Sequence, residues 1–214
     1  MKYRLFAVIL IALSAVSIGA PIAAKPTTVV TSAEKPQLEL SIDASFVALP
    51  ALRFPLQFTD VDRRIFIDAD HAKVVHRMII VQFEKVKSGS HFKFVYRPRP
   101  PMNFGKSTYR FGAYVYDDAK EAASQPRMEG ARTRSDLEAR GFTVPRLFRT
   151  ARLARVADPS GQSEVIIFYI ENADGDYPSG PLPNADADGD LVLMPSAAKS
   201  LFENMKAVIH AVKG

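Results

Sequence analysis

The sequence predicts an α+β fold: a curved antiparallel β-sheet of about six or seven strands, a C-terminal amphipathic helix packed on it, and two short helices in a connection. Three observations carry this expectation. Lys73–Val86 is the longest apolar-rich run beyond the N-terminal segment, β-branched and aromatic, with no Gly or Pro inside it. Shorter alternating stretches separated by turn residues recur on both sides of it. Near the end, Leu201, Phe202, Met205, Val208, Ile209 and Val212 fall at helical spacing within Ala197–Val212.

Taken in order, Leu38–Ile42 alternates as a half-buried strand, and Phe46–Leu49 extends it as far as Pro50. A loop through Pro55 leads to a short strand at Leu56–Thr59 and a turn at Asp60, Val61 and Asp62. Arg64–Asp68 then forms a hairpin with Lys73–Val86 through the turn residues Asp68, Asp70 and His71. Ser88, Gly89 and Ser90 return the chain along His91–Arg97, where Phe92, Phe94 and Tyr96 share a face, until Pro98, Pro100 and Pro101 end the strand. Thr108–Tyr116 completes the meander, with Tyr114 and Tyr116 opposite Tyr109, Phe111, Ala113 and Val115.

Asp118 with Glu121 is an N-cap and its reciprocal Glu, starting a short helix that runs to Ser124 and stops before Pro126. A second helix starts at Thr133 and ends with Gly141 in the left-handed position, where Phe142 can touch Leu137. Ala151–Val156 and Glu164–Glu171 flank a turn at Asp158–Gly161; Val165–Ile170 is apolar on both faces, so this hairpin belongs inside the sheet. Leu191–Met194 is a short strand in the loop 172–195, Ser196 caps the last helix, and Lys206, His210 and Lys213 complement its dipole.

The ends read differently from the middle. Lys2 and Arg4 precede an apolar stretch, Leu5–Ile18, and small residues at Gly19, Ala20, Ala23 and Ala24, the layout of a signal peptide over 1–24. Its apolar core is short against the ~20 residues that span a bilayer. Residues 25–37, rich in Thr, Pro, Lys and Ala, read as a disordered lead-in, which leaves 38–214 as a single domain. The expectation is export to a bacterial periplasm or the extracellular space, with no transmembrane segment in the mature chain. The chain has no Cys, so thiol catalysis, disulfides and thiolate zinc sites are excluded.

Loss of Lys2 and Arg4 would take the net charge of +5 down to +3, too mild to imply a nucleic-acid partner. The charges are blocked, however. Eight Arg lie between Arg127 and Arg155, and eight acids without Lys or Arg between Asp158 and Asp190. Such neighbouring blocks either pair with each other or leave an Arg face for an anionic ligand.

Motifs for chemistry are few. The sequence has no G-x-S-x-G, H-E-x-x-H, Walker or G-x-G-x-x-G pattern. Asn184, Asp186, Asp188, Gly189 and Asp190 resemble the first half of an EF-hand loop, with alternating oxygens and a Gly at the sixth position; the twelfth, normally Glu, is Pro195. That resemblance implies a candidate Ca2+ site at Asn184, Asp186, Asp188 and Asp190, without the EF-hand fold. On the central strand His76, Met78, Ile80, Gln82 and Glu84 share one face and Arg77 lies on the other, while His91 on the next strand would approach Glu84 or Gln82.

The element order is similar to the helix-grip arrangement of hydrophobic-ligand carriers. The expected function is accordingly an exported, non-enzymatic module binding a small apolar or amphipathic ligand between sheet and helix, with His76, Arg77, Gln82, Glu84 and His91 as its polar contacts. The alternative is an envelope or extracellular interaction protein using the Arg-rich face and the acidic, calcium-binding loop. A hydrolase with paired carboxylates among Glu84, Glu164 and Glu171 comes third.

Overall fold

The computed structural model describes residues 28–32, 38–96, 101–177, 182 and 190–213. The strands are β1 (Thr28–Ser32), β2 (Leu38–Ile42), β3 (Val47–Ala48), β4 (Leu52–Pro55), β5 (Thr59–Ala69), β6 (Val75–Val86), β7 (Pro101–Phe104) and β8 (Ser107–Asp117). After α1 (Asp118–Ser124) and α2 (Glu129–Ala139) come β9 (Leu147–Val156), β10 (Ser163–Asn172), β11 (Leu191–Val192), α3 (Pro195–Val208) and β12 (Ile209–Lys213). An open, antiparallel nine-stranded sheet has the order β11-β8-β9-β10-β6-β5-β3, with β4 also on β5 and β7 also on β8; β1-β2-β12 form a separate three-stranded sheet. The protein is thus α+β, mostly antiparallel sheet with three helices among the described residues. Among the described residues no helix is long and apolar enough to cross a membrane. The signal-like segment 1–24 lies outside the described residues.

The hairpin of β5 and β6 and that of β9 and β10 form as their turn residues predict. In the second turn Gly161 takes φ +73, and the Asp158 carboxylate accepts from the backbone N–H groups of Ser160 and Ser163, at 2.9 and 2.8 Å. The meander does not form. Residues 91–96 have no regular structure, and the second neighbour of β6 is β10, with Val81 opposite Ile167 and Glu84 opposite Glu164. Two-sided apolarity decides the contest: Val165, Ile167 and Tyr169 point to one core and Ile166 and Ile170 to the other side, all buried. The rival segment buries little. Phe92 is 37% exposed and stacks on Phe58 at 5.4 Å.

Other boundaries shift for similar reasons. Asp60–Asp62 belongs to β5, because Val61, Arg63, Ile65 and Ile67 are buried alternately while the intervening side chains face outward or to the other layer. The lead-in contributes β1, which pairs along the whole of β2. The helix α2 begins at Glu129, four residues before Thr133, whose hydroxyl donates back to the Glu129 carbonyl at 2.9 Å. Its end is as expected: Gly141 has φ +81 and the Phe142 N–H reaches the Leu137 carbonyl at 3.0 Å.

The last helix stops at Val208. Ile209 turns extended (φ −127, ψ 125), and His210 and Lys213 lie in β12 instead of serving the helix dipole. Ile209, fully buried opposite Ile42, gains more from closing the free edge of β2 than from one more helical turn.

The large sheet has two covered faces. One carries Phe66, Ile79, Val81, Tyr109, Leu153, Val165, Ile167 and Tyr169 under α3 and the small sheet, where Leu40, Ile42, Leu201, Phe202 and Met205 complete one continuous core. On the other, Ile65, Ile67, Met78, Ile80, Phe148 and Ile170 pack with Leu137 of α2. Beside that second core the sheet turns polar.

Candidate binding pocket

Strand register sets the site. Across the second face one row reads Glu84 (β6) and Glu164 (β10), and the next reads Arg63 (β5), Gln82 (β6), Ile166 (β10) and Ala154 (β9). Then follow Ile65, Ile80, Phe168 and Arg152, and finally Ile67, Met78, Ile170, Thr150 and Tyr114 of β8. Antiparallel partners lie ~5 Å apart on one face, so polar side chains gather around an apolar strip.

Above that strip α1 and α2 leave a pocket of about 240 Å³. Its floor is Ile80, Ile166, Phe168 and Ile170; its rim is Arg63, Thr150, Arg152, Tyr114 and Tyr116. The roof is Glu121 of α1 with Met128, Glu129 and Gly130 at the start of α2, and Asp190 stands at the side.

The two arginines of the pocket differ. Arg63, 3% exposed, is tied down at two nitrogens: Nε donates to Gln82 Oε1 at 2.6 Å, and Nη1 to the Glu129 carbonyl at 2.9 Å and Thr133 Oγ1 at 2.5 Å. It ties β5 and β6 to α2. Arg152 is half-buried, with no carboxylate within 4.0 Å among the described residues. Its guanidinium lies 5.9 Å over the Phe168 ring and 5.7 Å over Tyr96, with a long 3.5 Å contact to the Tyr96 hydroxyl. Burial pulls its pKa down, so it remains a cation at some cost in solvation.

Two rows from Arg152, one step beyond the pocket, two carboxylates face each other. Glu84 accepts from Gln82 Nε2 at 2.6 Å and Thr59 Oγ1 at 2.9 Å, bonds that favour its charged form although burial raises its pKa. Glu164 accepts from the Tyr96 hydroxyl. Burial, and then the charge on Glu84, push it up to about 8. At neutral pH Glu164 therefore keeps its proton, beside a Glu84 whose own hydrogen bonds favour the charged form.

Two unpartnered polar atoms belong to the pocket. Thr150 is 1% exposed and its Oγ1 has no hydrogen-bond partner among the described residues; Glu129 Oε2 is buried likewise. The Glu121 pKa is raised by burial and then by Asp118, Asp190 and Glu129. Tyr114 is pushed up to about 12 by burial and stays a phenol.

The residues expected to bind ligand separate. Gln82 and Glu84 join the polar cluster, linking Arg63 to the acid pair. His76 stands half-exposed at the start of β6, its Nε2 3.3 Å from Asp70 Oδ2. Arg77 lies on the opposite face, pairing with Asp68 at 2.7 Å and covering the Phe46 ring at 5.0 Å. His91 is exposed in the segment after β6, not on a strand beside Glu84; from that segment Tyr96 reaches the acid pair, through Glu164. Asn184, Asp186 and Asp188 of the candidate Ca2+ loop lie outside the described residues. Among the described residues no group of three or more His, Cys, Asp or Glu could hold a metal.

The two charge blocks meet through Arg149, while Arg134 and Arg140 of the first block pair with acids outside the second. Arg134 meets Asp118 at 2.6 Å and Glu138 at 2.9 Å, Arg140 meets Asp136 at 2.8 Å, and Arg149 meets Glu171 and Asp176 at 3.4 and 3.3 Å. Arg152 stands apart from this pairing. By parity it shares a face of β9 with Thr150 and Ala154, while Arg149 and Arg155 take the other face with Ala151 and Leu153. Arg63 stands between Val61 and Ile65 on one face of β5.

No protein-family model, curated protein or solved structure matches the chain.

Proposed function

We propose that the protein is an exported, non-enzymatic binding module for a small amphipathic ligand, held between the nine-stranded sheet and the α1–α2 connection. The observation that carries this reading is the pairing of an apolar floor with two under-used polar groups, the Arg152 guanidinium and the Thr150 hydroxyl, at one rim of a pocket. The volume of about 240 Å³ is below the ~300 Å³ at which drug-sized pockets begin, which suits a metabolite-sized molecule. The space first expected to receive a ligand, under the C-terminal helix, is instead where Leu201, Phe202 and Met205 meet the main core. The case for export rests on the order of basic, apolar and small residues over 1–24.

The test is native mass spectrometry of the protein purified from its own host. A bound small molecule is expected in the wild type. In Arg152→Ala, the loss of a charge-assisted hydrogen bond should weaken binding by about 1.5–3 kcal/mol, roughly ten- to a hundredfold. A wild type free of ligand, or equal occupancy in the variant, would overturn the proposal.

A further inference from the structure

Arg152 belongs to two neighbourhoods at once. Its guanidinium lines the pocket and lies 5.9 Å over Phe168, part of the floor. It also lies 5.7 Å over the Tyr96 ring, and Nη2 donates to the Tyr96 hydroxyl at 3.5 Å. That same hydroxyl donates to Glu164 Oε2. Arg152 and Glu164 are thus one hydroxyl apart without forming an ion pair, and a rotation of the long arginine side chain would close the gap.

The groups facing the Glu164 carboxyl come from three elements. Glu84 stands opposite on β6, itself bonded to Thr59 and Gln82, and Val156 stands opposite on β9. Tyr96 reaches over from the segment after β6, with Arg110 of β8 4.9 Å over its ring. At longer range Glu129 acts on both Arg152 and Glu84, and Glu84 on Arg152. Burial and the charge on Glu84 keep the proton on Glu164 at neutral pH. A neutral carboxyl asks nothing of Arg152. An ionised one, buried beside a second carboxylate, draws in a cation. Arg63 cannot answer, because Gln82, Thr133 and the Glu129 carbonyl hold it in place.

Resting on the pocket reading above, we infer that the pocket is switched by a proton: Arg152 serves it while Glu164 is protonated and turns to Glu164, by way of Tyr96, once that carboxyl ionises. Occupancy and ionisation then compete for one guanidinium. The pocket holds its ligand more tightly at lower pH, and a ligand on Arg152 in turn keeps the proton on Glu164.

NMR of the ligand-free full chain between pH 5.5 and 9.5 tests this. The reporters are the Glu164 side-chain carboxyl and the Arg152 δ-methylene, the second assigned by its loss in Arg152→Lys. In the wild type the carboxyl should titrate with a midpoint of about 8. Over the same interval the cross-peaks from the Arg152 δ-methylene to the Phe168 ring should fall at least twofold. In Glu164→Gln, which cannot ionise, they should stay constant. Tyr96→Phe should raise the midpoint, because the lost hydroxyl and the guanidinium it brings near both favour the ionised form. Cross-peaks that hold steady while Glu164 titrates would overturn the inference, as would the same fall in Glu164→Gln or a midpoint unmoved in Tyr96→Phe. None of these results touches the pocket reading, which native mass spectrometry of the host-purified protein judges separately. The wild-type titration alone can sink the switch, so a variant that fails to fold does not blunt the test.

Discussion

Replacing Thr150 by valine keeps the outline of the side chain and removes a hydroxyl that is 1% exposed and has no partner among the described residues. A buried, unsatisfied polar group costs ~1–3 kcal/mol, so Thr150→Val should raise the melting temperature of the ligand-free protein by about 1 kcal/mol of stability. The same change should lower ligand affinity; a variant less stable than wild type in chemical denaturation would contradict this account. Glu164 makes a pH statement. Burial and Glu84 raise it from the usual carboxylate range to about 8, and Tyr96 donates to it while Arg152 holds the Tyr96 ring from the other side. The folded chain keeps that proton where the unfolded chain has lost it, so stability is fullest below pH ~4.5. It falls by about 1 kcal/mol per pH unit towards pH 8 and then levels. Glu164→Gln, which cannot ionise, should flatten most of that fall in urea titrations at pH 5, 7 and 8.5. A fall unchanged from wild type would remove the assignment of the proton to Glu164. The site was legible only in part for a reason that belongs to this scale. Gln82 and Glu84 stand out as polar residues in an apolar run, but Arg63 and Arg152 look like ordinary surface cations until register puts them beside Phe168.

Among the elements, local chemistry was readable and long-range choice was not. The Asp158–Gly161 turn, the Gly141 helix ending and the β5–β6 hairpin are decided by residues within a few positions of each other, and they form as expected. Whether β6 takes His91–Tyr96 or β10 as its second neighbour depends on burial against a segment some eighty residues away, as the Glu84–Glu164 pairing shows. The stripe through Ile209 and Val212 misleads similarly, since β-branched residues fit a strand as well as a helix and only the open edge of β2 selects the strand. That edge gives the element-scale prediction. Gly105, in the β7–β8 turn, has φ +61, and a Cβ there would lie 2.4 Å from Ala211 Cβ in β12. Gly105→Ala should therefore cost about 2–3 kcal/mol, part backbone strain and part displacement of β12. A loss below ~0.5 kcal/mol would mean that β12 is not held against this turn.

For the molecule as a whole, both sheets and α3 draw on one core, from Leu40 and Ile42 through Val81 and Ile167 to Phe202 and Met205. With no layer owning its own interior, heat should unfold the described domain in a single transition, with calorimetric and van 't Hoff enthalpies equal; two resolved transitions would show the small sheet melting by itself. The second core and the pocket hang on the reverse face of the same sheet, so occupancy should shift that transition without splitting it. The pair of tyrosines at the pocket rim has one more consequence. The chain contains seven Tyr and no Trp, so its ultraviolet emission comes from phenol rings alone, and Tyr114 and Tyr116 belong to the cavity wall. A molecule seated against them would change that emission directly, giving the unmodified protein a built-in optical gauge of its own occupancy.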